Sequence, residues 1–391
     1  MKKIIQSDVV FTNIGDPISN GGIEFDANGK ILAVYNQEQL LQKKIDKKYK
    51  GFLVPGFVNS HCHLELSFAV ARIEKNKGIN NFIERVEFLK KSTPEKAKIE
   101  MIGKALEILK EEGIVAVGDI CNTELTANPK KFSSIKFRNF IEVYGINSDL
   151  ANKKIDEAKK LKVKFENCSI VPHSTYSLSS ELFKNIENQL NNNDIISIHN
   201  QESAAENEYF QKGSGEMFDR FKNWNLEIPK FIPSKENPLQ TISKIIEIKD
   251  NSCLFVHNTF SEAADFDFIN QTYPSAYICI CPSSNLFIEN TLPKVEMIYQ
   301  KAMTICIGTD SLASTDNLSL FNEMMILIKA FPNIPFTEIL KWATINGGKA
   351  LGFAEDIGSF EVGKTPGINL IEDVDVENIR LTDYSFVRVI K

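Results

Sequence analysis

Only five histidines occur in the 391 residues, and their positions are informative. His61 and His63 form a His-x-His pair in Asn59-Ser-His-Cys-His-Leu-Glu65, while His173, His199 and His257 each follow an apolar run. Asp310 holds the same kind of position in Ile307-Gly-Thr-Asp-Ser311. At a strand end, residues i and i+2 point to one side, so two imidazoles of such a pair can bind one ion. A third nitrogen from His199 and an oxygen from Asp310 complete the protein shell. Three nitrogens, one oxygen and an open water position describe a catalytic zinc site rather than a closed structural one. Iron or manganese would accept the same ligands. In His199-Asn-Gln-Glu202 a carboxylate stands three residues beyond a ligand. Its plain structural reading is an acidic residue opening a helix. Beside a metal-activated water, carrying protons to a leaving nitrogen is the better reading.

These side chains need elements that bring them to one place. Apolar, β-rich runs occur at Phe57–Asn59, Ile114–Ile120, Phe137–Tyr144, Cys168–Val171, Ile195–Ile198, Cys253–Val256, Ala276–Cys281 and Met303–Ile307. Helical patterns lie between most of them, for example Ile99–Glu111, Lys153–Lys162, Ser180–Asn191 and Leu320–Ala330. Apolar strands alternating with helices imply a buried parallel sheet. The expected fold is α/β, a (β/α)8 barrel over residues 55–356, with a doubly wound sheet as the alternative. In a barrel the five histidines and Asp310 would converge on the C-terminal rim, where active sites lie.

The two chain ends read differently. Short strands are expected at Asp8–Asn13, Gly22–Asp26, Ile31–Tyr35 and Phe52–Val54, separated by Gly15-Asp-Pro17 and Asn20-Gly-Gly22 turns. Strand-like stretches return at Gly358–Gly363, Ile368–Ile371 and Ser385–Ile390. Residues 1–54 and 357–391 are therefore expected to form one composite β-domain.

The chain carries 45 Lys and Arg against 51 Asp and Glu, a net charge of −6, so a phosphate-backbone partner is not expected. Lys43–Lys50 and Lys153–Lys164 read as solvated faces. The opening Met1–Ile5 imitates a signal peptide, but Gln6 and Asp8 break the apolar run too early. No stretch reaches 18 apolar residues, so no membrane partner is expected either. The seven cysteines (62, 121, 168, 253, 279, 281, 306) mostly sit in apolar runs without CxxC spacing. They read as reduced core thiols, hence a cytoplasmic protein, and a homodimer is left open.

The motifs together resemble the metal-dependent amidohydrolase superfamily, in its aminohydrolase branch of chlorohydrolases and guanine- and adenosine-type deaminases. The resemblance runs from Val54-Pro-Gly-Phe-Val-Asn-Ser-His-Cys-His63 through Val171-Pro-His-Ser-Thr-Tyr-Ser177 and His199-Asn-Gln-Glu202. It continues in Val256-His-Asn258, Cys281-Pro-Ser-Ser-Asn285, Gly308-Thr-Asp-Ser-Leu-Ala-Ser314, Asn346–Gly352 and Gly358–Lys364. It implies a distorted TIM barrel with a small β-sandwich domain. It implies one divalent ion, zinc first, on His61, His63, His199 and Asp310, with no lysine after the fourth strand to bridge a second. It also implies a proton shuttle at Glu202, a water-orienting histidine at His257 and a substrate contact at His173. Glu65 and Ser67 resemble a tail found in aminodeoxyfutalosine deaminases.

Other chemistries fit less well. His63-Leu-Glu65 matches half of the other zinc-deaminase signature, but no Pro-Cys-x-x-Cys follows. Gly347-Gly-Lys349 lacks the rest of a phosphate loop. A nucleophilic Ser60 or Cys62 would leave Asp310 and the remaining histidines unexplained. The expected reaction is hydrolytic deamination of an amino-substituted heterocycle, an adenine-type nucleoside in the first place, so the partner is a small molecule. Adjacent Ser174, Thr175 and Tyr176 are expected to join His173 around a ribose. Hydrolysis of a C–Cl, C–S or cyclic amide bond is the alternative. A non-catalytic metal-binding protein ranks last, because Glu202 and His257 would then be idle.

Overall fold

The computed structural model describes residues 2–248 and 251–391, so Met1 of the opening stretch lies outside it. Eight parallel strands are present where the apolar runs lie. They are β1 (Phe57–Cys62), β2 (Ile114–Ile120), β3 (Lys136–Val143), β4 (Cys168–Pro172), β5 (Ile195–Asn200), β6 (Ser252–His257), β7 (Ala276–Ile280) and β8 (Ile305–Ile307). Their residues are almost entirely buried, which is what a sheet covered on both faces requires. The strands form two four-stranded sheets, β1–β4 and β5–β8, each in sequence order. The ladder does not run continuously from one sheet to the other. Single parallel bridges join them, Ser174 with His199 and Cys62 with Asp310.

The seam between β8 and β1 is held by named contacts. Asn59 Nδ2 donates to Thr309 Oγ1 at 2.7 Å, and Thr309 N–H donates back to Asn59 Oδ1 at 3.0 Å. The N–H of Asp310 donates to the His61 carbonyl at 3.0 Å. Gly308 permits this approach, since a Cβ there would stand 2.8 Å from both the Cβ and the carbonyl oxygen of His61.

Helices pack outside the strands, for instance Glu95–Glu111, Ala151–Lys162 and Leu320–Ala330. The last begins where expected because the Ser319 hydroxyl accepts from the Asn322 N–H, satisfying a free donor of the first turn. Two excursions matter for the site. The helix Gly78–Ser92 follows β1, and the helices Ala204–Lys212, Glu216–Asn223 and Pro238–Ser243 lie between β5 and β6. Among the described residues, no helix is long and apolar enough to cross a membrane.

Strands from both chain ends share a sheet, in the order Phe386–Val389, Ile368–Glu372, Phe52–Pro55, Val9–Val10, Ile18–Ser19. A second sheet holds Ile31–Tyr35, Gly22–Phe25, Lys3–Gln6 and Lys47–Lys48. One apolar cluster takes Ile5, Ile23 and Ile31 from the second and Val10, Leu53 and Leu370 from the first. Two expectations need correction. Gly358–Gly363 is not a strand: Gly358 and Gly363 adopt φ of +87° and +101°, turn geometry that breaks a ladder, while buried Phe360 plugs the same cluster. Lys3–Gln6, at the head of the chain, is a strand that pairs Gly22–Phe25.

Candidate active site

All five histidines and Asp310 meet at the C-terminal ends of the parallel strands. His61 lies within β1 and His63 just after it, so their rings leave the same side of the chain. Their Nε2 atoms are 3.2 Å apart, and His63 Nε2 is 3.3 Å from His199 Nε2, brought in by β5. Asp310 Oδ1 is 3.6 Å from His61 Nε2 and 3.5 Å from His63 Nε2. Ligands about 2.0–2.1 Å from a tetrahedral ion stand roughly 3.3 Å from one another, so this spacing fits one metal ion. His61, His63 and Asp310 converge as one group, and His199 joins it through His63.

The other oxygen of Asp310 is occupied. Ser284 Oγ donates to Oδ2 at 2.7 Å and Ser314 Oγ at 2.5 Å, which turns Oδ1 toward the histidines. Burial alone would raise the Asp310 pKa, but the close imidazoles of His61, His63 and His257 hold it well below the usual range. Burial pushes the His61 pKa down, and those of His63, His173 and His257 further. Neutral imidazoles are the form that binds metal.

Glu202 Oε1 lies 3.6 Å from His257 Nε2. Asn285 Nδ2 donates to His257 Nδ1 at 3.2 Å, which leaves Nε2 to carry the ring proton. Burial, then the charges of Asp310 and Glu206, push the Glu202 pKa well up, which favours its protonated form. His257 and Asp310 hold positive φ, +72° and +57°, as do neighbouring Asn258 and Gln201 at +53° and +46°. Non-glycine residues in that region cluster where function fixes the backbone.

Glu202, His257, Asp310, His63 and His199 all open onto one cavity of about 470 Å³. His173 also lines it, with Nδ1 at 2.9 Å from both Ser174 Oγ and Ser177 Oγ. Tyr176 and Ser177 line the cavity, but Ser174 and Thr175 do not. Ser174 Oγ donates to Ser177 Oγ and buried Thr175 Oγ1 has no partner, so of the four residues expected around a ribose only His173 and Tyr176 line the cavity, and Ser177 joins them there.

Sequence reasoning passed over several residues of the wall. Glu142, at the end of β3, places Oε1 3.4 Å from His199 Nδ1. Asn122 Nδ2 donates to Glu142 Oε2 at 2.9 Å and to Glu65 Oε1 at 3.0 Å, joining two buried carboxylates. Burial raises Glu65 to about 7 even though Lys90 opposes the rise. A carboxylate inside the apolar run Phe140-Ile-Glu-Val143 was the available signal for Glu142. Arg220 in Glu216–Asn223 gave none, because that segment lacks strand periodicity.

The amidohydrolase family model matches residues 52–389. An aminodeoxyfutalosine deaminase of Nitratiruptor is 28% identical over 374 residues, covering 91% of this chain and 88% of that protein. An adenosine deaminase of Helicobacter pylori is 26% identical over 391 residues, covering 95% and 92%. Among solved structures, the aminofutalosine deaminase of Helicobacter pylori with methylthio-coformycin superposes with a TM-score of 0.80 at 22% identity, over 95% of this chain and 93% of that one. A zinc-containing atrazine chlorohydrolase of Arthrobacter aurescens gives 0.72 at 16% identity, over 94% and 86%.

Proposed function

Because the chain belongs to the amidohydrolase family, we propose that it is a metal-dependent hydrolase that deaminates an adenine-type nucleoside and releases ammonia. The observation that carries this reading is Glu202, a buried carboxyl that opens onto the same cavity as the His and Asp cluster, with Oε1 3.6 Å from His257 Nε2. Relatives named for deamination of adenine nucleosides, aligned over nearly the whole chain, support it.

On this reading His61, His63, His199 and Asp310 hold one divalent ion, zinc in the first place. Such an ion, when bound, lowers the pKa of water from 15.7 toward ~7 and supplies the nucleophile. The chain's own groups do the rest. His257 holds the attacking oxygen through Nε2, and Asp310 accepts a proton from the attacking water. Glu202 protonates the ring nitrogen beside the carbon under attack, work worth roughly 10²–10⁴ in rate. The carbon gains a hydroxyl, the C–N bond to the exocyclic amine breaks and a carbonyl forms. The two protons of the water end one on the departing ammonia and one back on Glu202. His173, Tyr176 and Ser177 hold the sugar.

A chloride leaving group would need no acid, so a carboxyl placed beside the His and Asp cluster favours the amine. Chlorohydrolase likeness at 16% identity speaks to the fold alone. We also read the two parallel sheets as halves of a distorted (β/α)8 barrel over 55–356. Residues 1–54 with 357–391 then form the composite β-sandwich domain. Seven free cysteines, six of them buried, suit the reducing cytoplasm.

Assaying the purified protein for released ammonia across adenine nucleosides, guanine and cytosine tests the proposal. Turnover of an adenine nucleoside is the expected result. Activity confined to chlorinated or cyclic amide substrates would overturn it.

A further inference from the structure

The helix Pro282–Glu289, which follows β7, supplies two of the side chains that fix the site. Ser284 Oγ donates to Asp310 Oδ2 at 2.7 Å. Asn285 Nδ2 donates both to His257 Nδ1 at 3.2 Å and to Thr259 Oγ1 at 2.8 Å. The start of this helix is poorly equipped to hold itself. Its N-cap residue, Cys281, makes no capping bond through its side chain, and Pro282 at the first position has no N–H. The first free donor is therefore the N–H of Ser283. It is satisfied from outside the helix, by Glu323 Oε2 at 2.8 Å.

Glu323 stands 40 residues further on, in the first turn of the helix Leu320–Ala330, and is fully buried. It is not among the residues that open onto the cavity, and its Oε1 has no partner. A weaker contact runs beside the first, from Asn322 Nδ2 to Ser283 Oγ at 3.4 Å. Burying a carboxyl is costly unless a hydrogen bond compensates, and the bond to Ser283 is the compensation present here. Burial raises the Glu323 pKa to about 8 although Ser283 opposes the rise, which favours the neutral acid. A neutral carboxyl still accepts through its carbonyl oxygen. An acceptor at the head of a helix sets how the helix is seated, and the next two residues of this one hold Asp310 and His257.

We propose that Glu323 is a positioning residue of the site: by accepting from the Ser283 N–H it seats the helix Pro282–Glu289 so that Ser284 orients Asp310 and Asn285 orients His257. This rests on reading the His and Asp cluster as the metal-bearing site of a deaminase. Glu323 itself touches neither substrate nor ion. Through one stretch of backbone it reaches a metal ligand and the water-orienting histidine together.

The test compares the wild type, Glu323→Gln and Glu323→Met, each with and without Ser284→Ala. Zinc affinity is read by competition against a chelator, and kcat and KM for adenosine are read with zinc in excess. Glu323→Gln keeps an acceptor and should hold zinc as the wild type does. Glu323→Met keeps the volume without the acceptor and should weaken zinc by about 10-fold, the low end of what an outer hydrogen-bond partner is worth. Through His257 it should also lower kcat by about 10-fold or more at a nearly unchanged KM. In the Ser284→Ala background Glu323→Met should cost about 2-fold or less in zinc affinity, because the hydroxyl it acts through is gone. Wild-type zinc affinity in Glu323→Met, an equal loss in both backgrounds, or a Glu323→Gln as weak as Glu323→Met would each overturn the proposal. If Glu323→Met does not fold, Glu323→Asp, one methylene short of the Ser283 N–H, takes its place in the same cycle. If no nucleoside is turned over, the deaminase reading fails separately, since the zinc cycle is read without substrate.

Discussion

The Nδ1 of His199 donates to the backbone carbonyl of His173 at 2.8 Å. A carbonyl only accepts, so this bond puts the His199 proton on Nδ1 and turns the Nε2 lone pair toward His63. The backbone of one histidine thereby fixes the tautomer of the other, and the Glu142 carboxylate at 3.4 Å backs it electrostatically.

One ion per chain should follow from that arrangement, with His61→Ala or His199→Ala losing both the ion and turnover. Elemental analysis of the purified proteins measures this. Two tightly held ions per chain, or full activity without any, would contradict the assignment.

Glu202→Gln should keep the ion, because no ligand is removed, and should lose roughly 10²–10⁴ in kcat. Metal content and steady-state kinetics on the same preparation separate the two effects. A variant with full activity would shift the reaction toward a better leaving group than an amine.

Ser284→Ala and Ser314→Ala each leave Asp310 Oδ2 with one hydroxyl fewer. Such partners orient a ligating carboxylate, so metal affinity should weaken by about 10–100-fold in the double variant. Competition against a chelator gives the number. Unchanged affinity would mean that the two hydroxyls merely fill space.

Glu65 has its pKa raised from 4.5 to about 7 by burial. Between those values the folded chain binds a proton that the unfolded chain has released, so this group's contribution to stability falls as pH rises from about 4.5 to 7 and is flat above. The total is on the order of 3 kcal/mol. Glu65→Gln should flatten this part of the profile, read as the difference in urea midpoints at pH 5 and pH 7.5. Parallel profiles for the two proteins would refute it.

The sequence showed the eight parallel strands because burial on both faces demands continuous apolar runs, and the site because its side chains end those runs. Lys3–Gln6 escaped notice because the terminal strands are short and half exposed, with only Ile5 buried in this one. Gly358–Gly363 misled because glycines flank an alternating Phe360-Glu-Val362, a pattern shared by a strand and by a turn with one buried side chain. Arg220 could not be found at all. It lines the cavity from a helix outside the strand ends, and only three-dimensional neighbours reveal that.

The reciprocal pair between Asn59 and Thr309 spans 250 residues of sequence. Contacts that distant carry a large loop-closure cost and slow folding chains dominated by them. Each four-stranded sheet can be assembled from consecutive strands, whereas the seam must wait for β8 to find β1. The ligand set lies across that seam, with His61 and His63 on one sheet and His199 and Asp310 arriving from the other. The site therefore exists only in a chain that has closed this 250-residue contact.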